Sequence, residues 1–130
     1  MMEETLRILV VDDESILRNL LEKILKKEGY EVMLAASGKE AVDVLEREKV
    51  DIIISDIKMP EMDGFALLRI VKEKYPSVGV IMMTAYADAY SVKDALLLGA
   101  DDYITKPFKS VEICMIIERA YWRALSGKNA

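Results

Sequence analysis

Short aliphatic runs alternate with amphipathic stretches along the chain, and this alternation constrains the fold more than any other feature. The runs carry no polar alternation, which is typical of strands that are buried on both faces. They lie at 6–11, 30–35, 51–55, 78–83 and 103–105. After each run, apolar residues recur at the spacings of three and four that indicate a helix. The alternation therefore predicts an α/β fold, a doubly wound five-stranded parallel sheet with right-handed crossovers and helices on both faces.

Polar residues before two of the predicted helices show capping patterns. Ser15 precedes the first helical stripe and is predicted to cap it. Ser37 is followed three residues later by Glu40, which is the spacing of a capping box. We expect the second helix to begin there.

Length and composition bound the class of protein. The 130 residues fit one domain, which we place at 1–125, followed by a tail or the start of a linker at 126–130. A net charge of −5 argues against a nucleic-acid surface. The lack of histidine excludes catalysis or metal ligation by that residue. The single cysteine, Cys114, permits neither an internal disulfide nor a cysteine-cluster metal site. No apolar run approaches the ~20 residues of a membrane span, and no secretory signal is visible, so we expect a cytoplasmic protein.

Reactive side chains stand at the ends of four predicted strands. Asp12 and Asp13 follow the first strand, Asp56 the third, Thr84 the fourth and Lys106 the fifth. In a parallel sheet these ends lie at one edge, where α/β folds bind ligands. Three converging carboxylates repel one another, and a hard divalent cation such as Mg²⁺, or else Mn²⁺, relieves that repulsion. The sequence therefore predicts a cation site at this edge.

The same groups suit phosphoryl transfer. A carboxylate such as that of Asp56 can attack phosphorus and form an acyl phosphate. The phosphoryl oxygens would then be held by the cation, by the ammonium of Lys106, and by the hydroxyl of Thr84 with nearby backbone N–H groups. Taken singly, the residues have ordinary roles: helix-terminal charges for Asp12 and Asp13, a strand-end hydroxyl for Thr84 and a solvated loop lysine for Lys106. Only their combination favours a phosphoryl site.

The motifs around these residues, taken in order, resemble the response-regulator receiver domain of two-component signalling. They are Asp12-Asp13, the stretch 56–60 with Asp63-Gly64, Met83-Thr84-Ala85, and the stretch 99–108. The resemblance covers about residues 5–125. It implies a flavodoxin-like sheet with the strand order 2-1-3-4-5. It also implies that the Lys106–Pro107 peptide bond is cis.

The resemblance gives each residue of the site a role. Asp56 would be the phospho-acceptor, and Thr84 and Lys106 would bind the phosphoryl oxygens. Mg²⁺ would be held by four residues, the first largely through water and the last through its backbone carbonyl: Asp12, Asp13, Asp56 and Lys58. Thr84 and Tyr103 would form a switch, in which the aromatic ring swings inward when Thr84 is drawn to the phosphate.

The resemblance also implies partners. The phosphoryl donor would be a phosphohistidine of a sensor histidine kinase or of a phosphotransfer protein. The domain would promote only its own phosphotransfer and autodephosphorylation, so it is not expected to be an enzyme. Lys58 and Tyr86 hold the two positions that flank the path of attacking water in this family, and their length and bulk predict slow hydrolysis. Contacts with an output domain or effector, or with a second copy in a homodimer, would form on the face made by the fourth helix, fifth strand and last helix. No direct contact with nucleic acid or membrane is expected of this segment.

Other interpretations differ in specific residues. A haloacid-dehalogenase phosphatase also uses an Asp nucleophile with Mg²⁺, but it needs a second Asp where this chain has Lys58, and it needs a cap domain. A flavodoxin-like electron carrier needs a phosphate loop after the first strand, where the acidic run 12–14 would repel a phosphate. Within the receiver class, the chain is either a stand-alone adaptor or the receiver piece of a longer regulator. The segments 86–98 and 117–120 are more similar to receivers of enhancer-binding transcriptional activators than to chemotaxis receivers.

Overall fold

The computed structural model of the chain describes residues 5–84 and 89–127, and strands and helices alternate throughout these ranges. The strands are β1 (Arg7–Val11), β2 (Glu31–Ala35), β3 (Ile52–Asp56), β4 (Gly79–Thr84) and β5 (Asp102–Thr105). The helices are α1 (Ser15–Lys27), α2 (Gly38–Arg47), α3 (Gly64–Lys74), α4 (Ala89–Leu97) and α5 (Ser110–Gly127). Each strand is followed by a helix, as the sequence predicts.

The strands form one parallel sheet in the order β2-β1-β3-β4-β5. Val10 of β1 lies beside Ile54 of β3, and Ile54 lies beside Ile81 of β4. Because all the strands run in the same direction, their carboxyl ends lie at the same edge of the sheet. The predicted parallel fold and its strand order 2-1-3-4-5 are confirmed.

Alternate positions of the strands enter two apolar cores, one on each face of the sheet. Leu9 and Ile53 pack with residues of α2, α3 and α4, whereas Ile8 and Ile54 pack with residues of α1 and α5. All four side chains are buried. Burying an aliphatic side chain of this size contributes about 1.5–3 kcal/mol relative to leaving it exposed. Burial on both faces explains why the aliphatic runs contain no alternating polar residues.

The first two helices begin in different ways. At α2, the Ser37 hydroxyl accepts the Glu40 N–H at 3.1 Å, so the predicted cap is confirmed. At α1 the prediction is wrong: Ser15 is the first helical residue, and the N-cap is Glu14, whose side chain makes no capping bond within the described ranges. The reason lies at the strand end. The Asp12 carboxylate accepts the Glu14 N–H at 2.9 Å and so starts the turn before Ser15 is reached.

Helix α5 extends into the predicted tail, since it continues through Gly127. Ala120 and Ala124 are buried, and a Cβ built on Gly79 of β4 would lie 3.2 Å from the Ala120 carbonyl oxygen. This close packing against the sheet supports the end of the helix. The first two residues of the predicted tail 126–130 are thus helical, and the others lie outside the described residues. None of the described helices combines the length and the apolar character needed to cross a membrane.

Candidate functional site

The edge at the carboxyl ends of the strands brings the predicted site residues together. Asp12 and Asp13 follow β1, Asp56 ends β3, Thr84 ends β4 and Lys106 follows β5. The three aspartates can each place one carboxylate oxygen within 4.8 Å of the other two. The Lys106 ammonium lies 3.5 Å from the Asp56 carboxylate and 3.9 Å from that of Asp12. Acidic and basic groups from separate parts of the chain therefore meet at one place.

Asp56 is almost fully enclosed at the end of β3, with 7% of its surface exposed. Its Oδ1 accepts the Ile57 N–H at 2.8 Å, and its Oδ2 lies 3.5 Å from Lys106 Nζ. Its backbone carbonyl accepts the Ser55 hydroxyl at 2.9 Å. One carboxylate oxygen is thus tied to the backbone and the other lies beside a cation, so the side chain has a defined orientation.

Asp12 is completely buried and carries an unsatisfied oxygen. Its Oδ1 accepts the Glu14 N–H at 2.9 Å, but its Oδ2 has no hydrogen-bond partner among the described residues. Lys106 Nζ lies 3.9 Å from that oxygen, which is close enough for an ion pair but too far for a hydrogen bond. Burial raises the pKa of Asp12; the Asp56 charge adds to the rise, whereas the Glu14 N–H and the Lys106 charge oppose it.

This arrangement fits a divalent cation. A buried carboxylate oxygen with no hydrogen-bond partner in the described part of the chain, together with two further carboxylates within 4.8 Å, supplies hard oxygen ligands around a common point. Mg²⁺ binds a few carboxylates and keeps several waters, and the exposed Asp13 leaves the site open to water. Mn²⁺ accepts the same ligands. Lys58 lies two residues after Asp56 on the following loop, and the role of its carbonyl stays a prediction.

Thr84 and Tyr103 lie on the same face of the sheet. Tyr103 is paired in register with Met82 of β4, and Met82 and Thr84 are two residues apart, so their side chains share a face. Thr84 and Tyr103 are therefore diagonal neighbours. Thr84 is buried, whereas Tyr103 is 37% exposed. The Lys106–Pro107 peptide bond that follows β5 is cis, as expected.

Two residues that support the site had no assigned role in the sequence analysis. Gly64 opens α3, and a Cβ there would lie 2.3 Å from the Asp56 carbonyl oxygen. Arg18 of α1 donates a hydrogen bond from Nη1 to the Asp12 carbonyl oxygen at 2.6 Å. The motif that contains Asp63-Gly64 gave no indication of this close approach. Nothing in the spacing of Arg18 distinguishes it from the other polar residues of its helix.

Replacing Asp12 with asparagine should stabilise the protein when no divalent cation is present. The change removes a buried charge beside Asp56 and keeps an oxygen that can accept the Glu14 N–H. Like charges about 4 Å apart repel by about 1 kcal/mol in water and by about 4 kcal/mol near a protein surface, so we expect the free energy of unfolding in EDTA at neutral pH to rise by about 1–3 kcal/mol. Urea denaturation followed by far-UV circular dichroism measures the change.

The pH dependence of this effect has a definite sign. Because burial raises the pKa of Asp12, the folded state binds its proton more tightly than the unfolded state does. The contribution of this group to stability is therefore complete below the unfolded-state pKa and is lost as the pH rises to the folded-state pKa. Asp12→Asn should gain most over the parent at neutral pH and least in acid. Asp13→Asn, at the exposed neighbour, is the control and should change the stability less; equal stability of Asp12→Asn and the parent at neutral pH would contradict the prediction.

Known proteins share both the sequence and the fold. The chain is 46% identical over 114 residues to the DNA-binding transcriptional regulator NtrC of Proteus hauseri, an alignment that covers 85% of this chain and 24% of that protein. It therefore spans about a quarter of the length of this relative. The structure of NtrX from Brucella abortus matches with a TM-score of 0.89 and 30% identity, over 97% of this chain and 29% of that one. A CheY-like response regulator receiver domain protein from Methanospirillum hungatei JF-1 matches with a TM-score of 0.86 and 33% identity, over 95% and 98% of the two chains.

The match to a family model decides among the interpretations given above. The model described as the response regulator receiver domain matches residues 8–118, a range that includes Asp12, Asp13, Asp56, Thr84 and Lys106. That range is most of the chain, and neither the phosphatase nor the electron-carrier interpretation is needed. The chain belongs to the response regulator receiver domain family.

Proposed function

We propose that this receiver domain acts in phosphorylation-dependent signalling, with Asp56 accepting a phosphoryl group from a phosphohistidine of a sensor kinase or phosphotransfer protein in a Mg²⁺-dependent reaction. The observation that carries the proposal is the position of Asp56, within 4.8 Å of two further carboxylates and 3.5 Å from a lysine ammonium. A carboxylate so placed is next to both the cation ligands and a fixed positive charge. Phosphoryl transfer depends mainly on such positioning and charge neutralisation.

Each residue of the site has its own role in phosphoryl transfer. A carboxylate oxygen of Asp56 forms a bond to phosphorus while the phosphorus–nitrogen bond of the donor breaks and the imidazole leaves with the electron pair. Asp12, Asp13, Asp56 and the carbonyl of Lys58 would hold Mg²⁺, which when bound neutralises charge on the transferring group. The Lys106 ammonium binds a second phosphoryl oxygen. Thr84 supplies a hydroxyl to a third oxygen.

The position of Thr84 beside Tyr103 supports a switch made by these two residues. When the Thr84 hydroxyl moves toward the phosphoryl group, it vacates space on the face that carries the Tyr103 ring. A ring that is 37% exposed can then turn inward and bury more apolar surface. Phosphorylation would thereby shift the population between two conformations of the face formed by α4, β5 and α5.

The same face would transmit the signal. Its helices carry exposed apolar side chains at Leu96 of α4 and at Val111, Met115 and Trp122 of α5. We propose that this face contacts an output domain in a longer parent chain or a separate effector, and that it can also pair two receivers as a homodimer. The NtrC relative is a DNA-binding transcriptional regulator and is about four times longer, which supports an output domain beyond the receiver. The protein would act in the cytoplasm as a signalling domain and not as an enzyme on other substrates.

Labelling with a small phosphodonor tests the proposal. Purified protein is incubated with acetyl phosphate with Mg²⁺ or with EDTA, and the adduct is measured by intact mass spectrometry. We expect one phosphoryl group per chain that requires Mg²⁺, is removed by hydroxylamine as an acyl phosphate is, and maps to the peptide that contains Asp56. A label that is stable to hydroxylamine, or that forms equally in EDTA, would exclude the proposed chemistry.

The lifetime of the acyl phosphate should depend on Lys58 and Tyr86. Lys58 is exposed on the loop after Asp56, while Tyr86 lies outside the described residues. If their side chains obstruct the path of attacking water, Lys58→Ala and Tyr86→Ala should each shorten the lifetime about threefold, which is roughly 0.7 kcal/mol of activation free energy. The decay of the labelled form after removal of acetyl phosphate measures this. Lys74→Ala, an exposed change at the far end of α3, is the control, and lifetimes equal to that control would refute the obstruction.

A further inference from the structure

The link between β1 and α1 carries two of the predicted cation ligands, and in the described part of the chain three hydrogen bonds hold its first residue, Asp12. The Asp12 N–H donates to the Ala35 carbonyl oxygen at 3.1 Å. The Asp12 Oδ1 accepts the Glu14 N–H at 2.9 Å. The Asp12 carbonyl oxygen accepts Nη1 of Arg18 at 2.6 Å. The third bond has a charged donor, and bonds of this type are about twice as strong as neutral ones.

The Arg18 bond acts on the peptide group that separates the two ligands. The Asp12 carbonyl belongs to the planar unit that joins Asp12 to Asp13. When its oxygen is fixed, the orientation of the whole unit is fixed, and with it the direction in which the Asp13 side chain leaves the backbone. Asp13 is exposed, so packing contributes little to its position. The backbone restraint therefore matters more here than it would in the core.

Helix α1, which carries Arg18, is held in place by its packing against the sheet. Leu21 and Leu25 of the same helix are buried in the core beneath the sheet, and the Arg18 N–H donates to the Glu14 carbonyl at 3.0 Å. Within the described ranges, the Glu14 side chain makes no capping bond at the start of this helix. The bond from Arg18 to Asp12 thus joins a packed helix to the strand end that carries the ligands.

We propose that Arg18 is a positioning residue for the divalent-cation site, holding the Asp12–Asp13 peptide through the Asp12 carbonyl so that both carboxylates converge with that of Asp56. Three carboxylates within 4.8 Å repel one another, and the restraint keeps them together before a cation arrives. Arginine suits this task because it is always charged and donates from a rigid planar group. The inference rests on the proposed cation site and adds a residue that neither ligates the cation nor touches the phosphoryl group.

Direct binding of Mg²⁺ tests this inference. Isothermal titration calorimetry with MgCl₂ should show that Arg18→Gln weakens Mg²⁺ binding about tenfold, the order found when residues that orient metal ligands are removed. Lys23→Gln is the matched control, because it removes one positive charge from an exposed position on the same helix, and it should bind as the parent does. Arg18→Met keeps the aliphatic stem without a donor and carries the same expectation if Arg18→Gln does not fold.

A second measurement distinguishes an effect on Mg²⁺ binding from an effect on the maximal rate of labelling. The rate of labelling by acetyl phosphate is followed as a function of Mg²⁺ concentration, and Arg18→Gln should need about ten times more Mg²⁺ for half of the maximal rate while reaching the parent's maximum. Parent-like binding in Arg18→Gln, or equal weakening in Lys23→Gln, would overturn the inference. Asp13→Asn distinguishes an error in the proposed cation site from an error in the role of Arg18. If it binds Mg²⁺ as the parent does, the cation site itself is wrong; if it loses binding while Arg18→Gln keeps it, only the role of Arg18 is wrong.

Discussion

Replacing Asp56 with asparagine should abolish Mg²⁺-dependent labelling by acetyl phosphate. The amide keeps the shape of the side chain and an oxygen for the Ile57 N–H, but it has no anionic oxygen beside Lys106 to attack phosphorus. Removal of a covalent nucleophile typically lowers the rate by orders of magnitude, so we expect a loss of at least about 10³-fold. Intact mass spectrometry over a time course of labelling measures the rate, and Asp56→Ala should behave in the same way.

The control for this experiment is an aspartate that lies away from the site. Asp43 is exposed on α2, and Asp43→Asn makes the same chemical change there, so it should be labelled at the parent's rate. Both variants should keep the far-UV circular dichroism spectrum of the parent. Labelling of Asp56→Asn at the parent's rate would mean that another carboxylate is the acceptor. The exposed Asp13 would then be the first residue to map, since it lies within the same 4.8 Å cluster.

Much of the fold could be predicted because both faces of the sheet are buried. A strand such as β3 must be aliphatic on both sides, which gives a run without polar alternation between two amphipathic helices. Its predicted limits, 51–55, differ by one residue from Ile52–Asp56, and the Asp51 carboxylate accepts the Arg7 N–H at 2.9 Å just before the strand begins. Such a bond joins residues far apart in sequence. Periodicity does not reveal it.

The position of the site could be predicted for a related reason. Once the strands are parallel, residues that end different strands must lie at one edge, so Asp12, Asp56 and Lys106 converge without any knowledge of their contacts. The supporting residues could not be predicted in this way. Arg18 acts through a backbone oxygen, and the unsatisfied oxygen of Asp12 depends on how completely the strand end is enclosed. These properties arise from tertiary packing, whereas the predicted cap at Ser15 was displaced by the local hydrogen bond from the Glu14 N–H to the Asp12 carboxylate.

Gly64 illustrates the same limit, and its replacement by alanine should damage stability and labelling together. A Cβ at this position would lie 2.3 Å from the Asp56 carbonyl oxygen, 2.9 Å from the Ile57 Cα and 2.6 Å from the Met82 Cε. The methionine end can move aside, but the backbone of the strand that carries the acceptor has no such freedom. We expect α3 to be pushed away and the free energy of unfolding to fall by about 1–3 kcal/mol, as in other overpacked cores.

Displacement of α3 should also slow the labelling of Asp56. The Gly64 N–H donates to the Ile57 carbonyl at 2.8 Å, and the Ile57 N–H orients the Asp56 carboxylate, so a shift at Gly64 passes directly to the acceptor. Because a misplacement of about 1 Å can cost about 10²-fold in rate, we expect labelling by acetyl phosphate at saturating Mg²⁺ to slow by at least about tenfold.

Gly29→Ala is the matched control, because it separates loss of stability from loss of geometry. Gly29 has a φ of 94°, and apart from its chain neighbours no atom of the described residues lies within 4 Å of an added Cβ, so alanine there is strained by the backbone and not by a collision. It should cost about 1–2 kcal/mol of unfolding free energy. Since Gly29 lies at the opposite end of α1 from the acidic cluster, its labelling rate should equal that of the parent. If Gly64→Ala is labelled as fast as Gly29→Ala, the close approach of α3 to the strand end does not position Asp56, and its role is limited to packing.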